Sequence, residues 1–260
     1  MRIGLLRKAL LVSLVVVLVV SVAAGCGQKK SPGYATVMKQ KKLIVGTEAT
    51  FPPFESVDEQ NKVIGFDIDL AAEVAKDLGV QLEVSEMKFD SLIPALQTGK
   101  IQMIAAAMSI KPERMDVVDF SNPYYDAGQS IVVTANNAVI TKADDLKDKK
   151  IGVQTGTTGD TTVSEAYKNA KITRFDRFTD AFLDLQNGNL DAVVLDAPVA
   201  KAYVDASGGK LKIIGDPLSS EKYALAFNKG DKDLVDAANK TLERIKKDGT
   251  FEKLVQKWFK

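Results

Sequence analysis

Arg114 follows a Ser109-Ile110-Lys111-Pro112 turn, and its guanidinium is a planar fork that grips a carboxylate through two parallel hydrogen bonds. Residues 155–159 (TGTTG) form a Gly/Thr turn leading into a helix; a helix N-terminus offers unpaired N–H groups and a positive dipole end to an anion. Asp196 closes a fully apolar run at 192–195, and Glu48 and Phe51 lie just past the first strand. Open α/β sheets bind ligands at such C-terminal strand ends. Each group also has an ordinary structural reading. Arg114 can pair with Glu113 or Asp116 on a helix surface, the TGTTG turn is also an N-cap, and Asp196 can cap a helix with Pro198 in its first turn. Phe51 and Phe89 can be core.

The elements that must position these residues read as alternating strands and helices. Short β-branched runs at 43–47, 81–85, 101–105, 130–134, 150–154, 171–175, 190–195, 211–214 and 223–227 predict strands. Segments of helical period predict helices over 67–78, 91–98, 159–170, 179–187, 197–205, 231–247 and 250–259. This alternation implies parallel sheets with helices on both faces. A polar stretch at 135–148 restarts the pattern, which favours two α/β units over one.

Composition removes several functions. The 260 residues contain no histidine, which excludes Ser-His and Cys-His nucleophile pairs and the commonest zinc ligand set. The first 25 residues read as a secretory signal: a basic start with Arg2, Arg7 and Lys8, then an apolar run over 9–24, shorter than the ~20 residues of a membrane span. Removing those three positive charges takes the formal net charge from +1 to −2. A near-neutral chain without a basic block argues against nucleic acid. Ala23-Ala24-Gly25-Cys26 is similar to a bacterial lipobox, with Ala23 where that pattern prefers leucine. Cys26, the single cysteine, is the expected lipidation site, anchoring the chain outside the cytoplasm through two acyl chains at once. The polar stretch that follows predicts a flexible tether, taken as 26–41.

At 46–55 (GTEATFPPFE), 65–70 (GFDIDL), 89–97 (FDSLIPALQ), 108–114 (MSIKPER), 119–125 (DFSNPYY), 152–159 (GVQTGTTG), 184–191 (DLQNGNLD), 195–198 (LDAP) and 249–259 (GTFEKLVQKWF) the chain presents an ordered set of motifs. Together they resemble the polar amino-acid class of periplasmic-type solute-binding proteins, from Lys42 onward. The resemblance implies a type II fold: two α/β lobes, 42–128 plus 223–260 and 129–222, joined by two hinge strands, with ligand held in the cleft. It implies a monomer without cofactor or metal, a binder rather than an enzyme, that delivers an amino acid to the transmembrane subunits of an ABC permease.

An amino acid is a zwitterion, so such a site needs a cation, an anion and walls. The resemblance assigns the carboxylate to Arg114, to Ser109 through hydroxyl and backbone donors, and to Thr157 and Thr158. It assigns the α-ammonium to Asp196 and the aromatic walls to Phe51 and Phe89, and it places Gln154, Asp160, Ala107 and Met108 along the cleft. Phe54 and Phe66 are left to the core. Glu48 in a TEA-type motif resembles arginine binders, and a carboxylate between aromatic faces suits a guanidinium. The expected ligand is therefore basic: arginine, then lysine or ornithine. Two alternatives stay open, a glutamine binder using the same backbone contacts and a cyclohexadienyl dehydratase-like enzyme with Glu48 as its acid.

Overall fold

The computed structural model describes residues 31–259. The expected signal, Cys26 and the first part of the tether lie outside the described residues. In chain order the elements are α1 (Pro32–Gln40), β1 (Lys42–Thr47), β2 (Ser56–Val57), β3 (Val63–Ile64), α2 (Phe66–Leu78), β4 (Gln81–Glu86), α3 (Leu92–Gln97), β5 (Met103–Ile104), α4 (Pro112–Met115), β6 (Val118–Phe120), β7 (Tyr125–Ala127) and β8 (Gln129–Thr134). Then come β9 (Lys150–Gln154), α5 (Thr158–Ala166), β10 (Lys171–Phe175), α6 (Phe178–Gln186), β11 (Ala192–Asp196), α7 (Ala197–Ala206), β12 (Leu211–Ile214), β13 (Glu221–Tyr223), β14 (Ala226–Asn228), α8 (Lys232–Lys247) and α9 (Thr250–Trp258).

Two five-stranded sheets carry the structure, giving the two-lobed α/β architecture that the alternation implies. One runs β4-β1-β5-β14-β6, the other β10-β9-β11-β8-β12. In the first, β4 and β5 lie parallel to β1 while β14 is antiparallel to β5 and β6. In the second, β10, β9 and β11 are parallel, and β8 is antiparallel to β11 and β12. The chain leaves the first sheet through β7 and returns through β13, and these two crossing strands pair antiparallel, Tyr223 opposite Tyr125.

The period-2 alternation of side chains divides each sheet's apolar residues between two faces. Val132, Val193 and Leu195 pack with Phe178, Phe182 and Val199 of α6 and α7. Ile131, Val133, Ile151, Val153 and Val194 pack on the opposite face with Val163 of α5. The first sheet repeats the scheme: Leu43, Val45 and Met103 meet Leu70, Val74, Leu234 and Leu242, while Ile104 meets Leu92 and Leu96. In α8 the buried residues Leu234, Ala238, Thr241, Leu242 and Ile245 recur at helical spacing. Each fully buried large aliphatic among them is worth about 1.5–3 kcal/mol over an exposed one. Phe259 stacks on Tyr125 with ring centroids 5.0 Å apart and meets Phe54 at 5.1 Å, so the C-terminal segment packs against the crossing strands. Phe54 and Phe66 are fully buried, as core residues should be.

Two departures of the fold from the sequence reading have clear physical causes. Pro32–Gln40, expected as tether, is a helix. Val37 buries its side chain in the core, and the Ser31 and Tyr34 backbone N–H groups donate to Asp233 and Asp231 at 2.6 and 3.3 Å. Val37 in the core, Tyr34 packed against it and two distant aspartates tie this helix to the rest of the fold. The strand expected over 223–227 is two strands, because Ala224 N–H and Leu225 N–H bond to Met108 O and Ser121 Oγ, outside any ladder.

Candidate ligand-binding cleft

The strand ends of both sheets converge on one cavity lined by Glu48, Phe51, Glu55, Phe89, Ala106, Ala107, Ser109, Arg114, Gln154, Thr157, Thr158 and Asp196. Ten of the sequence-selected residues are therefore brought together. Met108 is not among them: 1 % exposed, it packs with Leu92, Leu96 and Ile104, because its neighbour Ala107 turns the backbone through a left-handed φ of 46°. That conformation is costly for a residue with a Cβ. It is held by the Ala107 N–H, which donates to Asp67 Oδ2 at 2.7 Å. Asp160 does not line the cavity either; its carboxylate pairs with Arg174 at 2.9 Å and accepts from Ser164.

Arg114 sits in the short helix α4, buried to 8 % exposure. Its guanidinium donates to Ser109 O at 2.9 Å and across the cleft to Gly156 O at 3.1 Å, and it lies 5.4 Å over the Phe89 ring centroid. Gly156 reaches this position with φ of 76°, where a side chain would be strained. Burial lowers the Arg114 pKa, while Asp196, Glu221 and Glu113 at longer range push it back up. Among the described residues Arg114 forms no ion pair with Glu113, Asp116 or any other carboxylate. The surface pairing that the sequence left open is absent.

Asp196 ends β11, four per cent exposed, in the N-cap position of α7. Its side chain makes no capping bond, and Oδ1 has no hydrogen-bond partner. Burial pushes its pKa up to about 6, against the pull of the Tyr223 hydroxyl, Gln129 and Arg114. The Tyr223 hydroxyl faces this carboxylate without forming a hydrogen bond of good geometry, and its oxygen is likewise unpartnered. An unmatched buried acceptor costs about 1–3 kcal/mol, so Asp196 is set for a donor from outside the chain.

Glu48 follows β1 and is 2 % exposed. It accepts Thr50 Oγ1 at 2.8 Å and, from the other sheet, Gln154 Nε2 at 2.9 Å. Burial raises its pKa; the Gln154 and Thr50 hydrogen bonds and the Arg177 charge oppose that. Thr157 caps α5, its hydroxyl donating to Gln154 O at 2.8 Å and accepting Asp160 N–H at 3.3 Å. Thr158 Oγ1 accepts Gln129 Nε2 at 2.9 Å. A Cβ on Gly159 would lie 2.7 Å from Gln129 Oε1 and 3.1 Å from Val194 O, so a side chain there would make these neighbours shift. Phe51 packs on Phe178 at 5.7 Å.

Sequence reasoning missed Glu55 and Ala106. Glu55 is fully buried, its pKa is pushed well up by burial and by Asp67, Glu48 and Asp196, and Oε2 has no partner. The signal was the Pro52-Pro53 turn: Phe51 and Glu55 exchange both backbone bonds across it, which puts their side chains on one face. The cavity wall thus carries three carboxyls and one guanidinium. Two further bonds close the sheets over it: Tyr203 Oη donates to Thr50 O at 2.8 Å, and Phe178 N–H to Thr50 Oγ1 at 3.4 Å.

The profile of the bacterial extracellular solute-binding proteins, family 3, matches residues 43–260. The putative ABC transporter arginine-binding protein 2 of Escherichia coli (strain K12) is 38 % identical over 218 residues, 82 % of this chain and 88 % of that protein. A mutant of ArgBP from T. maritima superposes with a TM-score of 0.85 at 47 % identity, covering 87 % of this chain and 99 % of the other. An ancestral arginine-binding protein bound to glutamine gives 0.81 at 50 % identity, covering 84 % and 98 %.

Proposed function

The chain belongs to the bacterial extracellular solute-binding proteins of family 3, and from that premise we propose that it is the lipid-anchored receptor of an ABC importer, with arginine as its preferred ligand. The observation that carries the reading is the pair of unmatched buried charges facing one cavity. Arg114 lacks a carboxylate partner and Asp196 Oδ1 lacks a donor, and the two ends of an α-amino acid supply both. Glu48 gives the remaining wall a carboxyl acceptor that suits a guanidinium. The N-terminus of α5, at the Thr158 backbone N–H, adds a donor for the carboxylate, and Phe51 and Phe89 flank the aliphatic chain. The relatives reported above carry arginine in their names, which supports the same ligand class.

On this reading lobe 1 is 42–128 plus 223–260 and lobe 2 is 129–222, with hinges where β7 passes into β8 and β13 into β14. Cys26, once acylated, holds the receptor at the membrane beside the permease; Cys26→Ser should abolish lipid labelling and release it into the periplasm or medium, and unchanged membrane retention would remove the lipoprotein assignment. Glutamine is the second reading. The ancestral arginine-binding protein is seen bound to it, and Glu48 and Gln154 together offer an acceptor and an amide to a side-chain amide.

A thermal-shift screen of the refolded mature chain against all amino acids tests the proposal. A ligand at a hundredfold over its dissociation constant stabilises by ~2.7 kcal/mol. The expected order is arginine, then lysine or ornithine, then glutamine. A screen led by an uncharged amino acid overturns the preference, and one with no amino-acid hit overturns the function.

A further inference from the structure

Asp67 is a fully buried acid that the binding scheme above does not use. It lies in the first turn of α2, whose N-terminal dipole favours a carboxylate. Its two donors come from distant segments and meet on one oxygen. Oδ2 accepts the Ala107 N–H and the Tyr124 hydroxyl, each at 2.7 Å, while Oδ1 has no partner. Tyr124 is itself fixed to the crossing strand β13, its N–H donating to Tyr223 O at 2.9 Å. Burial pushes the Asp67 pKa up to about 7, against the pull of these two hydrogen bonds.

The segment that Asp67 meets is a wall of the cleft. Its ends are held elsewhere: Ala105 N–H donates to Gly46 O at 3.0 Å, and Met108 O accepts Ala224 N–H at 3.1 Å. Between them Ala106 and Ala107 line the cavity, and Met108 packs into the core. This course depends on the left-handed φ of 46° at Ala107. An L-residue relieves that strain most simply when the preceding peptide turns over, since the flip carries φ back to the negative side. Turned over, the peptide would aim the Ala106 carbonyl oxygen where the N–H now points, at Asp67. An ionised carboxylate only accepts, so two buried acceptors would then face each other.

We propose that Asp67 is a positioning residue for the amino-acid site: from α2 it locks the 106–107 peptide in its strained orientation, and so keeps the cleft wall shaped for ligand and Met108 out of it. Tyr124 shares the same oxygen and keeps the carboxylate turned toward the wall. This rests on the amino-acid reading of the cleft and deepens it with a residue that does not line the cavity. Asp67 makes no ligand contact of its own; it acts through Ala107.

The test is a calorimetric cycle on the full chain with Asp67→Asn, Ala107→Gly and the double variant, titrated with arginine at about pH 8, where the wild-type carboxyl is mostly ionised. Asparagine keeps the size and one acceptor, but its amide can also donate to a flipped carbonyl, so the lock is lost. Asp67→Asn is expected to weaken arginine binding by about tenfold or more. Glycine takes a left-handed turn without strain, so nothing drives the flip. In the Ala107→Gly background the Asp67 change should therefore cost less than about threefold. A purely structural role predicts the same loss in both backgrounds, and that result overturns the proposal. So does unchanged affinity in Asp67→Asn. Should Asp67→Asn fail to fold alone, it should fold together with Ala107→Gly, and a double variant that also fails overturns the proposal. Wild-type protein that binds no amino acid sinks the functional reading and this inference with it, whereas binding by wild type with no rescue by Ala107→Gly sinks this inference alone.

Discussion

Arg244, on the outer face of α8, reaches three carboxylates, Glu73, Asp77 and Asp248, whereas Arg114 in the cleft reaches none and donates only to backbone carbonyls. The outer arginine's pKa is raised by its partners and the inner one's is lowered by burial. A charge left unmatched at a solvated surface costs little; one left unmatched in a cavity costs stability unless a ligand completes it. The difference separates a charge that serves the fold from one held ready for something else. Asp196 makes the same contrast with Asp77: the surface aspartate accepts Thr241 Oγ1 and Arg244 Nε, both at 2.8 Å, while the cleft aspartate keeps one oxygen empty.

The sharpest way to break that contrast is to delete each group. Arg114→Ala and Asp196→Ala should each abolish measurable binding of every amino acid, because losing one partner of a desolvated charge pair costs roughly 2–5 kcal/mol. Arg244→Ala, distant and without shared partners, should leave the dissociation constant within about twofold. Isothermal titration of the three variants decides it. Equal damage from Arg244→Ala would mean that the inner arginine is nothing special.

Glu48→Gln comes next in size. It removes the anionic end of the proposed side-chain subsite but keeps an acceptor and the size, so arginine affinity should drop by about tenfold or more. Glutamine affinity should change far less. Competition binding with both ligands reads the ratio, and a parallel fall in both would show that Glu48 supports the cleft without choosing its occupant.

Much of this site was legible because it obeys a strand-end rule. Glu48 after β1 and Asp196 at the end of β11 each follow an apolar run, so their placement at strand ends could be read without coordinates, whereas Gln154 at the end of β9 was placed by the motif resemblance. Glu55 and Glu221 could not be read that way. One is turned into the cleft by a bridge back to Phe51, and the other is brought by a crossing strand against the cleft residue Ser109, 112 residues away in sequence. Long-range partners of that kind leave no local periodicity. Helix α1 was hidden for the same reason, since Asp231 and Asp233 hold its start from two hundred residues downstream. Met108 misled in the opposite sense: motif position put it in the cleft, and one left-handed residue before it turned it into the core.

A smaller effect tests the electrostatics of the empty site. Asp196 has its pKa raised to about 6 from 3.8, so the folded, unliganded chain holds this proton more tightly than the unfolded chain does. The resulting penalty on folding is absent below the lower value, grows as pH rises between the two, and is fully present above about 6. An ammonium pairs with the ionised form, so ligand affinity should fall as pH drops below about 6, approaching tenfold per unit. Asp67, with its pKa at about 7, titrates nearby, so the informative quantity is the difference made by Asp196→Asn. That variant should bind poorly at every pH and, unliganded at pH 7–8, melt higher than wild type. A lower melting point would place Asp196 with the surface charges that serve the fold.

The smallest effect belongs to the rim, where charge pairs join the same two sheets in full view of solvent. Lys88 pairs with Asp176 at 2.5 Å, and Glu86 pairs with Arg177, each pair having one member on either side of the cleft. All four side chains are exposed by a third or more, so water and salt screen what they gain from each other. They differ from Arg114 and Asp196 in needing no ligand, since each finds its partner in the chain once the sheets meet. Their contribution should therefore appear in how long the closed form lasts more than in whether ligand is recognised. Lys88→Ala with Arg177→Ala is expected to speed arginine release by less than about fivefold at low salt, with the effect shrinking as ionic strength approaches 1 M. Stopped-flow release at two salt concentrations measures it. A loss comparable to that of Arg114→Ala, or one insensitive to salt, would mean that the rim recognises the ligand too, and the division between charges for folding and charges for binding would have to be drawn elsewhere.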